Sequence, residues 1–201
     1  MNVYAQRIDS SGNIQWADNG TIIFGSTETA APTAIIESPS GGAYIAITEG
    51  TGESGDIIVQ KLDQDGSPLW GADGLAVCTE EKGQNSAVLT YDGLGGVFIS
   101  WIDGRMGRND VYAQKIDSSG TTLFCNNGTL ISESISDAQD LILHNTTNGA
   151  YLFWELKIVP AYHWPLYMTL LDDIPVVTSP EDITSNHTLW ILIFFLRPRE
   201  N

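Results

Sequence analysis

Short runs of alternating apolar and polar residues, punctuated by Gly, Asp, Asn and Ser, make up most of this 201-residue chain. The runs recur. Val3-Tyr4-Ala5-Gln6-Arg7-Ile8-Asp9-Ser10-Ser11-Gly12 comes back as Ile57-Ile58-Val59-Gln60-Lys61-Leu62-Asp63-Gln64-Asp65-Gly66, and again as Val111-Tyr112-Ala113-Gln114-Lys115-Ile116-Asp117-Ser118-Ser119-Gly120. A worn fourth copy is Leu166-Tyr167-Met168-Thr169-Leu170-Leu171-Asp172. Val3, Ile57 and Val111 stand 54 residues apart, and a fixed period of that size marks units that bury their faces against their neighbours.

Within one period the pattern predicts four strands. Ser86 to Tyr91 is the first, and Asp92-Gly93-Leu94-Gly95-Gly96 is a glycine-rich turn. Val97 to Ile102 is the second, and a polar loop from Asp103 to Asp110 leads into the third, Val111 to Ile116. Beyond the turn Asp117-Ser118-Ser119-Gly120, a fourth segment runs from Thr121 to Phe124 and ends on an aromatic. Other periods repeat these marks: Gly41-Gly42 and Asn148-Gly149 match Gly95-Gly96, while Trp16 and Trp70 match Phe124.

The third strand carries apolar residues on both faces, with small Ala5, Val59 and Ala113 on one. A sheet with one wet face would alternate cleanly instead. Coils of a β-solenoid are about half this length, and a sandwich domain needs roughly 100 residues. The pattern therefore predicts an all-β chain, a partial β-propeller of about three four-stranded blades over residues 1–172. Its periods lie near 9–62, 63–116 and 117–171. Propellers close with about four to eight blades. Either the chain is a fragment of a longer ring, or it is a homo-oligomer whose copies complete one ring together.

The chain opens inside a repeat with no secretory leader, which reads as a fragment or a miscalled start. Residues 173–201 form a Pro-containing linker and a short apolar tail, Leu189 to Leu196. That tail is too short for a span of about 20 residues. It reads as the start of a truncated following module or an out-of-frame end, with an interfacial anchor as the alternative.

Charge narrows the partners. Twenty-five acidic against nine basic residues give a formal charge of −16. This argues against nucleic acid and anionic membrane, which need clustered Lys and Arg. It suits a self-repelling surface or one that attracts cations. Cys78 and Cys125 fall at unrelated repeat positions, so they are no repeated framework, and whether they pair is not legible.

The string from Asp110 to Gly120, preceded by Gly95-Gly96-Val97-Phe98-Ile99-Ser100-Trp101-Ile102-Asp103-Gly104-Arg105, resembles β-propeller repeats of large secreted or surface proteins of bacteria and archaea. It is also distantly similar to quinoprotein-type blades. The resemblance covers roughly residues 1–172 and implies an extracellular or cell-surface parent protein. It implies no quinone site in this chain. The loop Trp101, Asp103, Arg105, Gly107, Asp110 is intact in one period; the first holds Ile47, Glu49, Thr51 and Asp56 there, and the third abandons the pattern from Glu155 to Pro165.

Candidate chemistry is sparse. Asp9, Asp63 and Asp117 open their turns, where a carboxylate closes the turn by accepting backbone N–H bonds; as a second reading they are oxygen ligands for calcium. Asp103, Arg105 and Asp110 are candidates for a ligand-facing charged loop or for an ion pair that orders it. Gln6, Gln60 and Gln114 are periodic, and their amides should bond nearby backbone. Trp16, Trp70, Trp101 and Trp154 read as core, with sugar stacking as the alternative. His163 and Trp164, in a loop peculiar to the third period, are further binding candidates.

No nucleophile elbow, phosphate loop or metal-binding His spacing occurs. The expected function is a non-catalytic structural or partner-binding module that presents its loops to a protein or glycan. A fragment of a glycoside-processing or quinone-dependent propeller enzyme, or a nonfunctional gene fragment, are the alternatives.

Overall fold

The computed structural model describes residues 1–132, 137–147, 149–157 and 166–171. The linker and tail at 173–201, and the candidates His163 and Trp164, lie outside the described residues. Within them the chain is all-β, with thirteen strands in four antiparallel sheets, none closed into a barrel.

β1 (Asn2–Ala5) and β2 (Thr21–Gly25) form the first sheet. β3 (Ala30–Glu37), β4 (Ala43–Glu49), β5 (Asp56–Leu62) and β6 (Leu75–Cys78) form the second, in chain order. β7 (Gln84–Tyr91), β8 (Val97–Asp103), β9 (Asp110–Ile116) and β10 (Thr129–Ser132) form the third in the same way. β11 (Ala138–Asn145), β12 (Ala150–Leu156) and β13 (Leu166–Leu171) form the fourth. Each strand of the second sheet begins 54 residues before its counterpart in the third: Ala30 and Gln84, Ala43 and Val97, Asp56 and Asp110, Leu75 and Thr129.

The fourth strand lies later than the sequence pattern places it. Thr121 to Phe124 contributes a single bridge, Ile116 with Thr122, and the strand itself is Thr129–Ser132. The aromatic that closes the predicted segment is apolar for another reason. Phe124 packs at 6.4 Å from Phe98, while Trp16 and Trp70 lie over glycines of the next repeat.

Successive sheets pack face to face. Ile45, Ile47, Ile58 and Leu62 of the second sheet bury against Val3, Ile23 and Phe24 of the first. Its other face, with Tyr44, Ala46, Ile57 and Val59, meets Ala87, Leu89, Ile99 and Trp101 of the third. The far face of the third sheet, Phe98, Ile102, Val111 and Ala113, meets Leu141, Leu152 and Trp154 of the fourth. This is why the central strands are apolar on both sides. Burying one such side chain stabilises by about 1.5–3 kcal/mol.

Because the strands alternate in direction, their connections fall at two ends of the stack. The β3–β4, β5–β6, β7–β8 and β9–β10 connections lie at one end, here the turn end. The β2–β3, β4–β5, β6–β7 and β8–β9 connections lie at the other, the loop end.

At the turn end each unit grips the next. Trp16 Nε1 donates to Gln64 O at 3.0 Å, and a Cβ on Gly66 would stand 2.6 Å from the Trp16 ring. Gly66 also has φ +82, so the turn needs glycine for its backbone as well as for the contact. Trp70 covers Gly120 in the same way, with a Cβ there 3.1 Å from Nε1. Lys61 Nζ donates to Ser118 O at 2.9 Å, and the Tyr44 hydroxyl donates to Gly95 O.

Candidate functional site

The three turn aspartates make one bond pattern. Asp9 Oδ1 accepts from the backbone N–H groups of Ser11 (2.9 Å) and Asn13 (2.8 Å). Asp63 Oδ1 accepts from Asp65 (2.9 Å) and Ser67 (2.8 Å), and Asp117 Oδ1 from Ser119 (2.8 Å) and Thr121 (2.9 Å). A side-chain bond from Asn13 holds the Asp9 carboxyl below the usual range, and the Ser119 hydroxyl does the same for Asp117. Asp92, not singled out in the sequence, closes its turn identically through Leu94 and Gly96, both at 2.8 Å. Among the described residues no three His, Cys, Asp or Glu side chains stand where one ion could be held.

The periodic glutamines are similarly engaged. Gln114 Oε1 accepts from Lys115 N (3.0 Å) and Phe124 N (2.7 Å), while its Nε2 donates to Cys125 O (2.9 Å). Gln6 and Gln60 repeat this with Trp16 and Trp70. Each amide fixes the segment that follows its own turn.

The loop end differs from unit to unit. In the third sheet Trp101, Asp103 and Arg105 come together at the β8–β9 connection. Arg105 Nη2 lies 2.6 Å and Nε 2.9 Å from the two Asp103 oxygens, a bidentate pair with Asp103 fully buried. The same Nη2 donates to Asn127 O (2.8 Å) and approaches Cys78 Sγ (2.9 Å), and the guanidinium lies 4.0 Å from the Tyr112 ring centre. Trp101 Nε1 donates to Asp103 Oδ2 at 2.8 Å. Burial pushes the Asp103 carboxyl up, but the Arg105 and Trp101 hydrogen bonds outweigh it and hold the group below its usual range. Burial likewise pushes the Cys78 thiol up to about 11, so it is no nucleophile at neutral pH.

Cys78 belongs to β6 and Asn127 to the approach to β10, so Arg105 staples the second sheet to the third. Glu80 and Asn127 add a second tie at 2.7 Å. Asp110 is buried on β9 directly opposite Asp103. Cys78 and Cys125 are not joined in a disulfide.

Beside this staple, the β2–β3, β4–β5 and β6–β7 connections enclose an open cleft of about 470 Å³. Glu28, Glu49, Asp56, Glu80 and Glu81 line it, with Lys82 as its cation. Burial, then the neighbouring Glu49 and Glu28 charges, raises the Asp56 carboxyl. Glu49 and Asp56 are direct cross-strand partners, like charges that repel. The cleft draws on three connections of one end and could not be read from spacing along the chain.

In the fourth sheet Trp154 stacks on Tyr167 at 5.7 Å, as Trp101 stacks on Tyr112 at 6.2 Å. Two residues on, however, Leu156 replaces the aspartate, and buried Trp154 Nε1 has no acceptor among the described residues. Comparison of the chain with family models, with curated proteins and with solved structures finds no match. Among the described residues no helix is long and apolar enough to cross a membrane.

Proposed function

We propose that this chain is a non-catalytic module, three repeat units of a propeller-type ring in a larger extracellular or surface protein. It engages a protein partner through its loop end. One observation carries this reading. The aspartates and glutamines that recur are spent on closing turns, and the Asp103–Arg105 pair is spent on joining two sheets. The acidic cleft, by contrast, sets the exposed Glu28 and Glu81 beside the half-buried Glu49, Asp56 and Glu80, with Lys82 as its cation. Five carboxylates at that rim suit a segment rich in Lys and Arg, because complementary charge steers encounter and selects partners.

The test is titration of the chain with a decalysine peptide by calorimetry at low and at physiological salt. Glu28→Gln/Glu81→Gln, which alters the cleft outside the Asn127 tie, should weaken binding several-fold and flatten its salt dependence. Unchanged affinity in that variant would move the partner surface elsewhere.

A further inference from the structure

The third sheet settles a charge problem that the second leaves open. Glu49 and Asp56 stand 54 residues before Asp103 and Asp110, and both pairs close the same register. Glu49 faces Asp56 at the end of β4 and β5, and Asp103 faces Asp110 at the end of β8 and β9. Two carboxylates so placed repel. In the third sheet Arg105, from the connection between the two strands, lies bidentate on Asp103 at 2.6 and 2.9 Å. Asp103 and Asp110 are then 0% and 2% exposed, so the guanidinium both fills the place and brings the opposite charge.

In the second sheet Thr51 stands at the position of Arg105. Glu49 accepts from the Ser26 hydroxyl, and among the described residues no Lys, Arg or His pairs with Glu49 or Asp56. Both carboxylates are only half-buried, and both line the cleft. The preceding connection deepens the deficit, because Glu28 stands there where the third sheet's counterpart is Lys82. One repeat position thus holds a cation in one copy and an open, uncompensated carboxylate pair in the other.

The chemistry favours an organic cation over a metal ion. Among the described residues no three His, Cys, Asp or Glu side chains could hold one ion. A guanidinium presents a rigid, planar fork of N–H donors that can bridge two neighbouring carboxylates, whereas an ammonium acts as a compact point charge. Ile58 takes the place of Tyr112, so the ring contact of Arg105 has no counterpart and recognition rests on the carboxylates.

We infer that the partner brings in trans what Arg105 provides in cis: an arginine side chain enters the cleft with its guanidinium on Glu49 and Asp56. This rests on the reading of the cleft as a seat for a basic segment, and it narrows that segment to one with arginine at the point of contact.

Calorimetry at physiological salt with two peptides tests it: decalysine, and the same peptide with one central lysine replaced by arginine. The arginine peptide should bind the wild-type chain several-fold more tightly. Glu49→Gln should retain its circular dichroism and bind the two peptides alike. Thr51→Arg, at an exposed position, should also abolish the preference, because the cleft then holds a guanidinium of its own. A preference that survives either substitution overturns the inference, since the guanidinium then sits elsewhere. Equal affinity of the two peptides for the wild-type chain overturns it as well. If Glu28→Gln/Glu81→Gln still weakens both peptides in that case, the broader reading of the cleft stands. Binding of neither peptide overturns both.

Discussion

The two ends of the stack obey different rules. At the turn end the same atoms do the same work in the first three units, where an aspartate closes each turn and a glutamine amide fixes the next segment; in the first two an aromatic also covers a glycine one unit on. At the loop end the corresponding positions hold Ile47, Glu49 and Thr51, then Trp101, Asp103 and Arg105, then Trp154 and Leu156. Uniformity marks the end that assembles the sheets. Variation marks the end free to acquire individual contacts, and there the acidic cleft lies.

Breaking the staple should give the largest effect. Arg105→Ala leaves Asp103 buried without its partner and opposite Asp110, and should cost about 3–5 kcal/mol in urea unfolding. A loss under about 1 kcal/mol would mean the pair merely decorates the loop, as exposed pairs do. The same variant should expose Cys78 to iodoacetamide at pH 8, where the folded wild-type thiol is protected by burial.

Next comes the turn end. Gly66→Ala places a methyl 2.6 Å from the Trp16 ring at a positive φ, and should destabilise by about 1–3 kcal/mol. Gly120→Ala, with 3.1 Å to Trp70, should cost less. Equal costs would show that backbone conformation rather than the aromatic contact sets the requirement.

A finer comparison pits the two buried tryptophans against each other. Trp101→Phe removes a hydrogen bond to a buried carboxylate, whereas Trp154→Phe removes a donor that is unsatisfied among the described residues. Thermal or urea unfolding should show Trp101→Phe to be worse by about 1.5–3 kcal/mol. The smallest effect is expected at Asp56. Its raised carboxyl pKa means that its contribution is fully present below the unfolded carboxylate pKa and lost as pH rises through the folded value. Asp56→Asn should therefore gain about 0.5 kcal/mol at pH 7 and nothing near pH 3.

What was legible in the sequence was local. Asp9, Asp63 and Asp117 announce their turns because carboxylate, acceptor geometry and glycine all lie within four residues. The strand pattern gave the all-β class for the same reason. The fourth strand was misplaced because Trp16, Trp70 and Phe124 look like strand residues, while their apolar character serves neighbouring turns and strands. Asp103 and Arg105 could be paired on spacing alone, but Cys78 and Asn127 reach them only through packing of two sheets. The cleft residues, scattered from Glu28 to Lys82, share no pattern at all until three connections meet.

The reach of each tryptophan over a glycine of the following unit has a genetic corollary. Trp16 meets Gly66 and Trp70 meets Gly120, so the middle period carries one half of the contact ahead of it, in Trp70, and one half of the contact behind, in Gly66. Duplicating or deleting that period restores a tryptophan over a glycine at the new junction. Unequal crossing-over can thus lengthen or shorten such a gene without disturbing the grip between units, leaving selection to act on the loops.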